Sequence, residues 1–189
     1  MLTLVKYQNR QVDMIDPFEI FPLLNTARLH LRRLNLEDAE QVLFLRSDKV
    51  VNEFIKRQTP TKIQDAIDFV DKIQLGYIKR ETVNWVITVK NNPEMIGSIC
   101  LWNFSADRKT AEVGYDLYPS FQNKGIMTEA LREVLHFGFH NLNLENIVAF
   151  THRANENSKK LLIKNGFMLQ KEETDPDNED NIIFSISKS

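Results

Sequence analysis

Three strand-like segments follow one another between residues 82 and 118, and this run constrains the fold more than any other part of the sequence. The segments are TVNWVITVK (82–90), EMIGSICLWNF (94–104) and KTAEVGYDLY (109–118), and the turn NNP joins the first two. They are rich in β-branched and aromatic residues, which favour strands. Connections this short suit antiparallel pairing, because a parallel pair needs a crossover of a dozen or more residues. We therefore expect an antiparallel meander.

The flanking segments add a strand and two helices before the meander and alternating helices and strands after it. RLHLRRL (28–34) has the period-2 pattern of a half-buried strand, and Asn35 with Asp38 three positions later is typical of a helix start. Residues 63–79 repeat apolar side chains at helical spacing. The later segments indicate a helix after residue 125, a strand at 146–152, a helix at 155–165, and the strands FMLQKEE and NIIFSISK around an acidic loop.

This order of elements predicts an α/β fold with a mixed, mostly antiparallel, twisted sheet of about seven strands flanked by about four helices. A chain of 189 residues suits one domain, which we place at residues 21–189 behind an N-terminal arm, residues 1–20. The formal charge of −2 provides no global field for nucleic acid or an anionic membrane, and we expect neither as a partner.

Cysteine usage and hydropathy bear on the environment of the chain. Cys100 is the only cysteine, which excludes an intrachain disulfide, and its apolar surroundings favour an inert buried thiol over a nucleophile. No apolar run reaches the roughly 20 residues of a membrane-spanning helix, and the first residues lack the pattern of a signal peptide. We expect a cytoplasmic protein.

The stretch FQNKGIMTEAL (121–131) is a polar turn with Gly125 that leads directly into a helix. Unpaired N–H groups and the helix dipole at such a terminus favour a phosphate, and Lys124 and Thr128 could add contacts. An ordinary structural turn is the alternative on this stretch alone. The fingerprints of a P-loop and of a dinucleotide-binding Rossmann fold are absent, and no His/Cys cluster has metal-ligand spacing, so we expect no metal.

The chain resembles the GNAT superfamily of acetyl-CoA-dependent N-acetyltransferases, with the ribosomal-protein (Rim-type) branch as the closest match. The signature Q-x-x-G-x-[GA] appears at 122–127 with Met127 at its last position, and a second motif appears as Asn155, Ser158, Lys164, Gly166 and Phe167. The resemblance implies a sheet splayed between its two central strands, with acetyl-CoA between them and its pyrophosphate on the main-chain amides of 122–127. The cofactor-binding residues it implies are Tyr115, Leu117, Gln122, Asn123, Lys124, Gly125, Ile126, Met127, Thr128, Asn155 and Ser158.

The resemblance also implies direct attack of an amine on the acetyl thioester. Glu112, in the AEVGY segment, matches the acidic residue of the family pattern and is our candidate general base. Many relatives carry a tyrosine acid where this chain has Leu162, which leaves Ser158, or alternatively Tyr115, as the acid. Backbone amides of 113–117 are the expected oxyanion donors. Met127 stands where the family prefers Gly or Ala and could narrow the phosphate site.

The sequence leaves the acceptor open. The Rim-type resemblance favours a protein N-terminal amine, and the alternatives are a small-molecule amine such as an antibiotic or polyamine, or a binding module that retains acyl-CoA without catalysis. The loop EETDPDNED (172–180) holds six carboxylates that could attract a cationic acceptor or simply be solvated. A homodimer is compatible with the sequence.

Overall fold

The computed structural model describes residues 16–188, which contain one eight-stranded sheet. The strands are β1 (Leu24–Asn25), β2 (Leu29–Arg33), β3 (Thr82–Val89), β4 (Asn92–Trp102), β5 (Thr110–Leu117), β6 (Asn146–His152), β7 (Met168–Gln170) and β8 (Asn181–Ser187). The helices are α1 (Ala39–Ser47), α2 (Ile63–Ile78), α3 (Ile126–His140) and α4 (Glu156–Lys164). The strand order is β1-β2-β3-β4-β5-β6-β8-β7, with only the β5–β6 pair parallel. This confirms the predicted α/β class, and the strand beyond the expected seven is the two-residue β1.

The predicted meander is present as β3, β4 and β5, but the turn expected at NNP is wrong. Val89 pairs with Asn92, so the turn is Lys90–Asn91, while Asn92 and Pro93 belong to β4. Asn91 has a φ of 67°, a left-handed conformation that asparagine tolerates better than most residues. The β3–β4 register shifts between Ile87 and Val89, and such an irregularity accommodates a proline inside a strand.

The helix start predicted at Asn35 is confirmed, with a short 3-10 turn (Leu36–Asp38) ahead of α1. The Asn35 side-chain oxygen accepts a hydrogen bond from the Glu37 N–H at 2.8 Å, and the Asn35 N–H donates to the Asp38 carboxylate at 3.1 Å. Arg32 from β2 holds both Asp38 oxygens, at 2.6 and 2.8 Å. The cap therefore ties the first helix to the sheet.

The two faces of the sheet carry different helices and separate cores. Alternate residues of β3, such as Trp85, pack with α3 and α4 on one face, which we call the α3 face. Val86 and Met95 pack with α1 and α2 on the opposite face, which we call the α1 face. A molecule bound between β5 and β6 would therefore contact α3 and α4 on one face of the sheet and α1 and α2 on the other.

The parallel pair β5–β6 is short for the length of its strands. Pairing is confined to Thr110–Glu112 with Asn146–Val148, although β5 continues to Leu117 and β6 to His152. Beyond Glu112 the two strands pair only with their outer neighbours, β4 and β8. The gap between Val113–Leu117 and residues 149–152 is the splay expected of this fold.

The chain before β1 is fastened to the core by main-chain carbonyls. The Trp85 indole N–H donates to the Pro22 carbonyl at 2.7 Å, and the Tyr77 hydroxyl donates to the Pro17 carbonyl at 3.2 Å. Asp16 forms an ion pair with Arg80 at 2.5 Å. Residues 1–15 of the predicted arm lie outside the described residues. Within 16–188, no helix is both long and apolar enough to cross a bilayer.

Candidate active site

The turn after β5 enters α3 through left-handed backbone. Gly125 precedes the first residue of α3 with a φ of 73°, and Asn123 has a φ of 60°. A Cβ at Gly125 would meet only the Arg28 Nη2 atom at 3.5 Å, an ordinary contact. Backbone conformation, and not crowding by the protein, therefore requires glycine here. Gly125 is exposed, and the first N–H groups of α3 have no acceptor within the helix.

The other residues of the turn divide into surface and core positions. The Gln122 amide donates to the Leu117 carbonyl at 3.1 Å, and the exposed Lys124 ammonium lies 5.6 Å from the centre of the Phe121 ring. Ile126 and Met127 are buried in the core on the α3 face, with 6% and 8% of their surface exposed. The Met127 side chain therefore points into the core. With this orientation its size does not narrow the phosphate site beside the turn.

A pair of residues that the sequence did not reveal holds this turn against β2. The Glu129 carboxylate accepts hydrogen bonds from Thr26 Oγ1 at 2.5 Å, from the Arg28 N–H at 2.8 Å and from Arg28 Nε at 2.6 Å. Arg28 Nη1 also donates to the Lys124 carbonyl at 3.1 Å. Burial would raise the pKa of Glu129, but these hydrogen bonds outweigh it and lower that pKa below its usual value. We call Arg28 and Glu129 the turn clamp.

On the α3 face of the splay, a tyrosine from β5 meets a serine from α4. The Tyr115 hydroxyl and Ser158 Oγ lie 2.8 Å apart, and both side chains are largely buried. Burial raises the pKa of Tyr115 to about 12, although the hydrogen bond with Ser158 opposes the rise. The Asn155 side-chain oxygen accepts from the Ser158 N–H at 3.0 Å and so caps α4. Leu162, the position of the family's tyrosine, is fully buried in the core.

On the α1 face, β5 presents Glu112, Gly114 and Asp116, since alternate residues share a face. Glu112 is half-buried beside Trp102, its partner on β4. Burial is the largest cause that raises the pKa of Glu112 to about 7, and the nearby negative charge of Asp175 adds to it. The side chains of Asn103 and Trp102 oppose the rise. Near neutral pH this carboxyl is therefore divided between its acid and its base forms.

Gly114 is the residue without a side chain between Glu112 and Asp116 on this face, and a Cβ there would have little room. A Cβ at Gly114 would lie 3.3 Å from the Cys100 sulfur and 3.7 Å from the Trp102 indole nitrogen. Burial raises the pKa of Cys100 to about 12, so this thiol stays protonated and is a poor nucleophile. Within the described part of the chain, no group of three or more His, Cys, Asp or Glu side chains could hold a metal.

Two loops meet beyond the ends of β5 and β6. The chain between α1 and α2, residues 48–62, brings the Phe54 ring to 5.4 Å from the His152 ring, centre to centre. Lys56 from the same loop contacts Asn178 at 2.8 Å and Asp180 at 3.5 Å in the acidic loop. Arg153 donates to the carbonyls of Glu179 and Asp180. Two cationic side chains therefore contact the acidic loop, Lys56 at the Asp180 carboxylate and Arg153 at main-chain carbonyls.

Comparison with known proteins identifies the class. Residues 28–168 match the GNAT acetyltransferase domain, so the chain belongs to the GNAT family. The uncharacterized N-acetyltransferase YoaA of Bacillus subtilis is 31% identical over 148 residues, 78% of this chain and 84% of that protein. The ribosomal-protein-serine acetyltransferase of Escherichia coli is 31% identical over 97 residues, 51% of each chain.

Solved structures agree on the fold. RimL, a ribosomal L7/L12 α-N-protein acetyltransferase in complex with coenzyme A, superposes with a TM-score of 0.76 at 19% identity, covering 88% of this chain and 98% of that one. The predicted family is confirmed, and this chain is an acetyl-CoA-dependent N-acetyltransferase of the GNAT type.

Proposed function

We propose that this enzyme acetylates a protein N-terminal amine by direct attack of the amine on the thioester of acetyl-CoA, with Glu112 as general base. The observation that carries the proposal is the half-buried Glu112 carboxylate, whose pKa of about 7 suits proton transfer near neutral pH. Glu112 lies on the α1 face at the start of the splay, where the pairing of β5 with β6 ends.

Acetyl-CoA fits the splay and the turn that follows it. The exposed N-terminus of α3 offers main-chain N–H groups from the 122–127 turn to the pyrophosphate, with Lys124 and Thr128 beside them. The backbone at Tyr115 and Leu117 faces the gap beyond Glu112 and would pair with the pantetheine amides. Asn155 uses its side-chain oxygen as a helix cap, so its amide nitrogen is the group left for the same arm.

The proton transfers follow from the two faces of β5. Glu112, directly or through a water, takes a proton from the incoming ammonium on the α1 face. Backbone N–H groups of Val113–Leu117 stabilise the oxyanion that forms as the amine nitrogen bonds to the acetyl carbon. The carbon–sulfur bond then breaks, and the Tyr115–Ser158 pair on the α3 face supplies a proton to the leaving thiolate. A tyrosine pKa of about 12 makes Tyr115 a weak acid, and Ser158 relays the proton or orients the sulfur.

Two similar proteins support the acceptor assignment: the ribosomal-protein-serine acetyltransferase of Escherichia coli and RimL, the ribosomal L7/L12 α-N-protein acetyltransferase. One observation favours a small-molecule amine instead. Lys56 contacts Asn178 and Asp180 and so joins the loop 48–62 to the acidic loop. These two loops flank the acceptor side of the splay, and their contact narrows the space for an acceptor at that end.

A thiol-release assay with acetyl-CoA tests the proposal against a panel of peptides, polyamines and aminoglycosides. We expect peptides with free N-termini to be acetylated and the same peptides with blocked N-termini to be inert. Glu112→Gln should remove turnover while leaving CoA affinity nearly intact, and Glu172→Gln, an exposed glutamate, is the matched control. Full activity in Glu112→Gln would remove Glu112 as the base.

A further inference from the structure

Two arginines share one carboxylate on the α1 face at the end of β5. Arg57 Nη1 lies 3.6 Å from the Asp116 Oδ2 atom, and both side chains are mostly buried, with 18% and 11% of their surface exposed. Asp116 also accepts a hydrogen bond from Ser98 Oγ at 2.7 Å. Arg46, in the last turn of α1, lies close enough for its charge to be felt by Arg57 and Asp116. We call Arg46 and Arg57 the arginine pair.

The arginine pair is not neutralised by its surroundings. Arg57 donates to Asn52 Oδ1 at 2.6 Å and to the Leu45 carbonyl at 3.0 Å, both of them uncharged acceptors. The Arg46 guanidinium lies over the Phe69 ring at 3.9 Å, and among residues 16–188 no group accepts a hydrogen bond from it. Burial, followed by the charge of Arg57, lowers the pKa of Arg46 to about 10. Two positive charges beside one negative charge leave a surplus of one positive charge, and this charge is partly desolvated.

This surplus lies one step along β5 from the position that the proposed base gives to the acceptor amine. The gap between β5 and β6 begins beyond Glu112, and Gly114 is the next residue on the same face, so an amine within reach of Glu112 lies beside Gly114. Asp116 follows on that face, and two residues of a strand span about 7 Å. The α1 face is therefore electrostatically divided, with the Glu112 and Asp175 carboxylates on one side of Gly114 and the arginine pair on the other.

We propose that the arginine pair binds a carboxylate carried by the acceptor itself, so that the enzyme selects primary amines with a carboxylate about 7 Å from the reacting nitrogen. This inference rests on the proposed function and names the acceptor class within it. The planar guanidinium of Arg46 has donor pairs that match a carboxylate, and its stacking on Phe69 holds the plane in place. An acidic side chain at the second position of a peptide and the carboxylate of an ω-amino acid share this chemistry and can both lie at this distance from the amine.

The acidic loop does not reverse this preference. Lys56 and Arg153 already contact it near Asp180, and Asp175, its carboxylate nearest to Glu112, lies on the other side of Gly114 from the arginine pair. A polyamine would place a second ammonium against the arginine pair, where like charges repel. Cationic acceptors should therefore be poor substrates even though the loop itself is acidic.

The test measures kcat/KM for matched acceptors with saturating acetyl-CoA. The peptide arm compares otherwise identical peptides with Glu, Gln or Lys at the second position, and the small-molecule arm compares 5-aminopentanoate with pentylamine. We expect the carboxylate-bearing member of at least one arm to be preferred about tenfold or more, as suits a charge-assisted hydrogen bond. The arm that shows the preference identifies the source of the carboxylate.

Arg46→Met isolates the contribution of the guanidinium. We expect this variant to lose the preference for the carboxylate while KM for acetyl-CoA and turnover of the Gln peptide stay as in the parent enzyme. Arg46→Lys keeps the charge without the planar fork and should retain part of the preference. Melting temperatures of both variants show whether the fold is intact, and Arg46→Gln replaces the methionine variant if that one fails to fold.

Two results would overturn the inference while leaving the proposed N-acetyltransferase chemistry standing. Equal or better turnover of the Lys peptide and of pentylamine would show that no carboxylate is recognised. An equal loss by Arg46→Met for all acceptors would show that Arg46 is only structural. Binding of acetyl-CoA with no acetylation of any amine would remove the proposed function, and the inference with it.

Discussion

Replacing Glu112 by glutamine should stabilise the protein and inactivate it, both in a pH-dependent way. The pKa of Glu112 is raised from the usual 4.5 to about 7, which means that the folded protein disfavours the charged carboxylate. At about 1.36 kcal/mol per pKa unit, this difference amounts to about 3.4 kcal/mol. Because the carboxyl is only half-buried, solvent screening reduces the penalty to about 1–2 kcal/mol.

The destabilisation caused by Glu112 depends on pH. Below pH 4.5 the carboxyl is protonated in both the folded and the unfolded chain, and Glu112 carries no penalty. Between 4.5 and about 7 the unfolded chain ionises first, so the stability of the folded protein falls relative to the glutamine variant. Above pH 7 the full penalty is present. Glu112→Gln should therefore melt about 2–8 °C higher than the parent protein at pH 8, with a smaller difference at pH 5.

Catalysis should show the same titration in the opposite sense. The base form of Glu112 accumulates above its pKa, so kcat/KM of the parent enzyme should rise tenfold per pH unit below about 7 and then level off. Glu112→Gln should lack this limb at every pH. Thermal melts and initial rates between pH 5 and pH 8 measure both effects, with Glu172→Gln as the control that changes neither. A glutamine variant no more stable at pH 8 than the parent would refute the burial argument.

Four further substitutions test the remaining parts of the site. Gly125→Val forces a branched residue to a φ of 73°, which costs about 1–3 kcal/mol, and it should abolish CoA binding. Calorimetry measures this, and a normal CoA affinity would contradict the main-chain phosphate site. Tyr115→Phe removes the hydroxyl that meets Ser158 and should lower kcat with little change in KM for acetyl-CoA, whereas an unchanged kcat would exclude this pair as the acid. Arg28→Met breaks the turn clamp and should weaken CoA binding about tenfold, and Glu129→Gln should weaken it less. Equal CoA affinity in the parent enzyme and both variants would mean that the turn keeps its shape without the clamp.

Local patterns in the sequence predicted most of the fold because they reflect local causes. The alternation in β2 and the cap at Asn35 are complete within a few residues, and both are confirmed. The misplaced turn before β4 has a local cause too. Asn91 takes the left-handed position in the turn without a glycine, and Pro93 lies inside β4 at a register shift. Pro93, which usually marks a turn, therefore lies two residues beyond the last residue of the actual turn, Asn91.

The contacts that shape the candidate site join residues far apart in the chain. Arg28 and Glu129 are separated by 101 residues, and no spacing rule links a residue in a strand to one in a distant helix. The pairing of Arg57 with Asp116 depends on how an irregular loop folds over the sheet. Recognising the family places Glu112 and the 122–127 turn, but their catalytic and binding roles stay predictions.

The short pairing between β5 and β6 has a consequence for how the protein opens. Within residues 16–188, the sheet consists of two hydrogen-bonded blocks, β1–β5 and β6–β8–β7. The blocks are joined by three paired residues of β5 and β6 and by the adjacent Lys109 carbonyl, which accepts from the Glu145 and Asn146 N–H groups. Amide exchange in β6 and β8 can therefore occur by local separation of the smaller block, without unfolding of the larger one. Coenzyme A bound in the gap would add contacts across that seam and stabilise the closed form by about 2.7 kcal/mol at one hundred times its Kd. We expect CoA to slow exchange in β6 and β8 far more than in β3 and β4, so the enzyme would be least resistant to proteolysis when its acetyl donor is scarce.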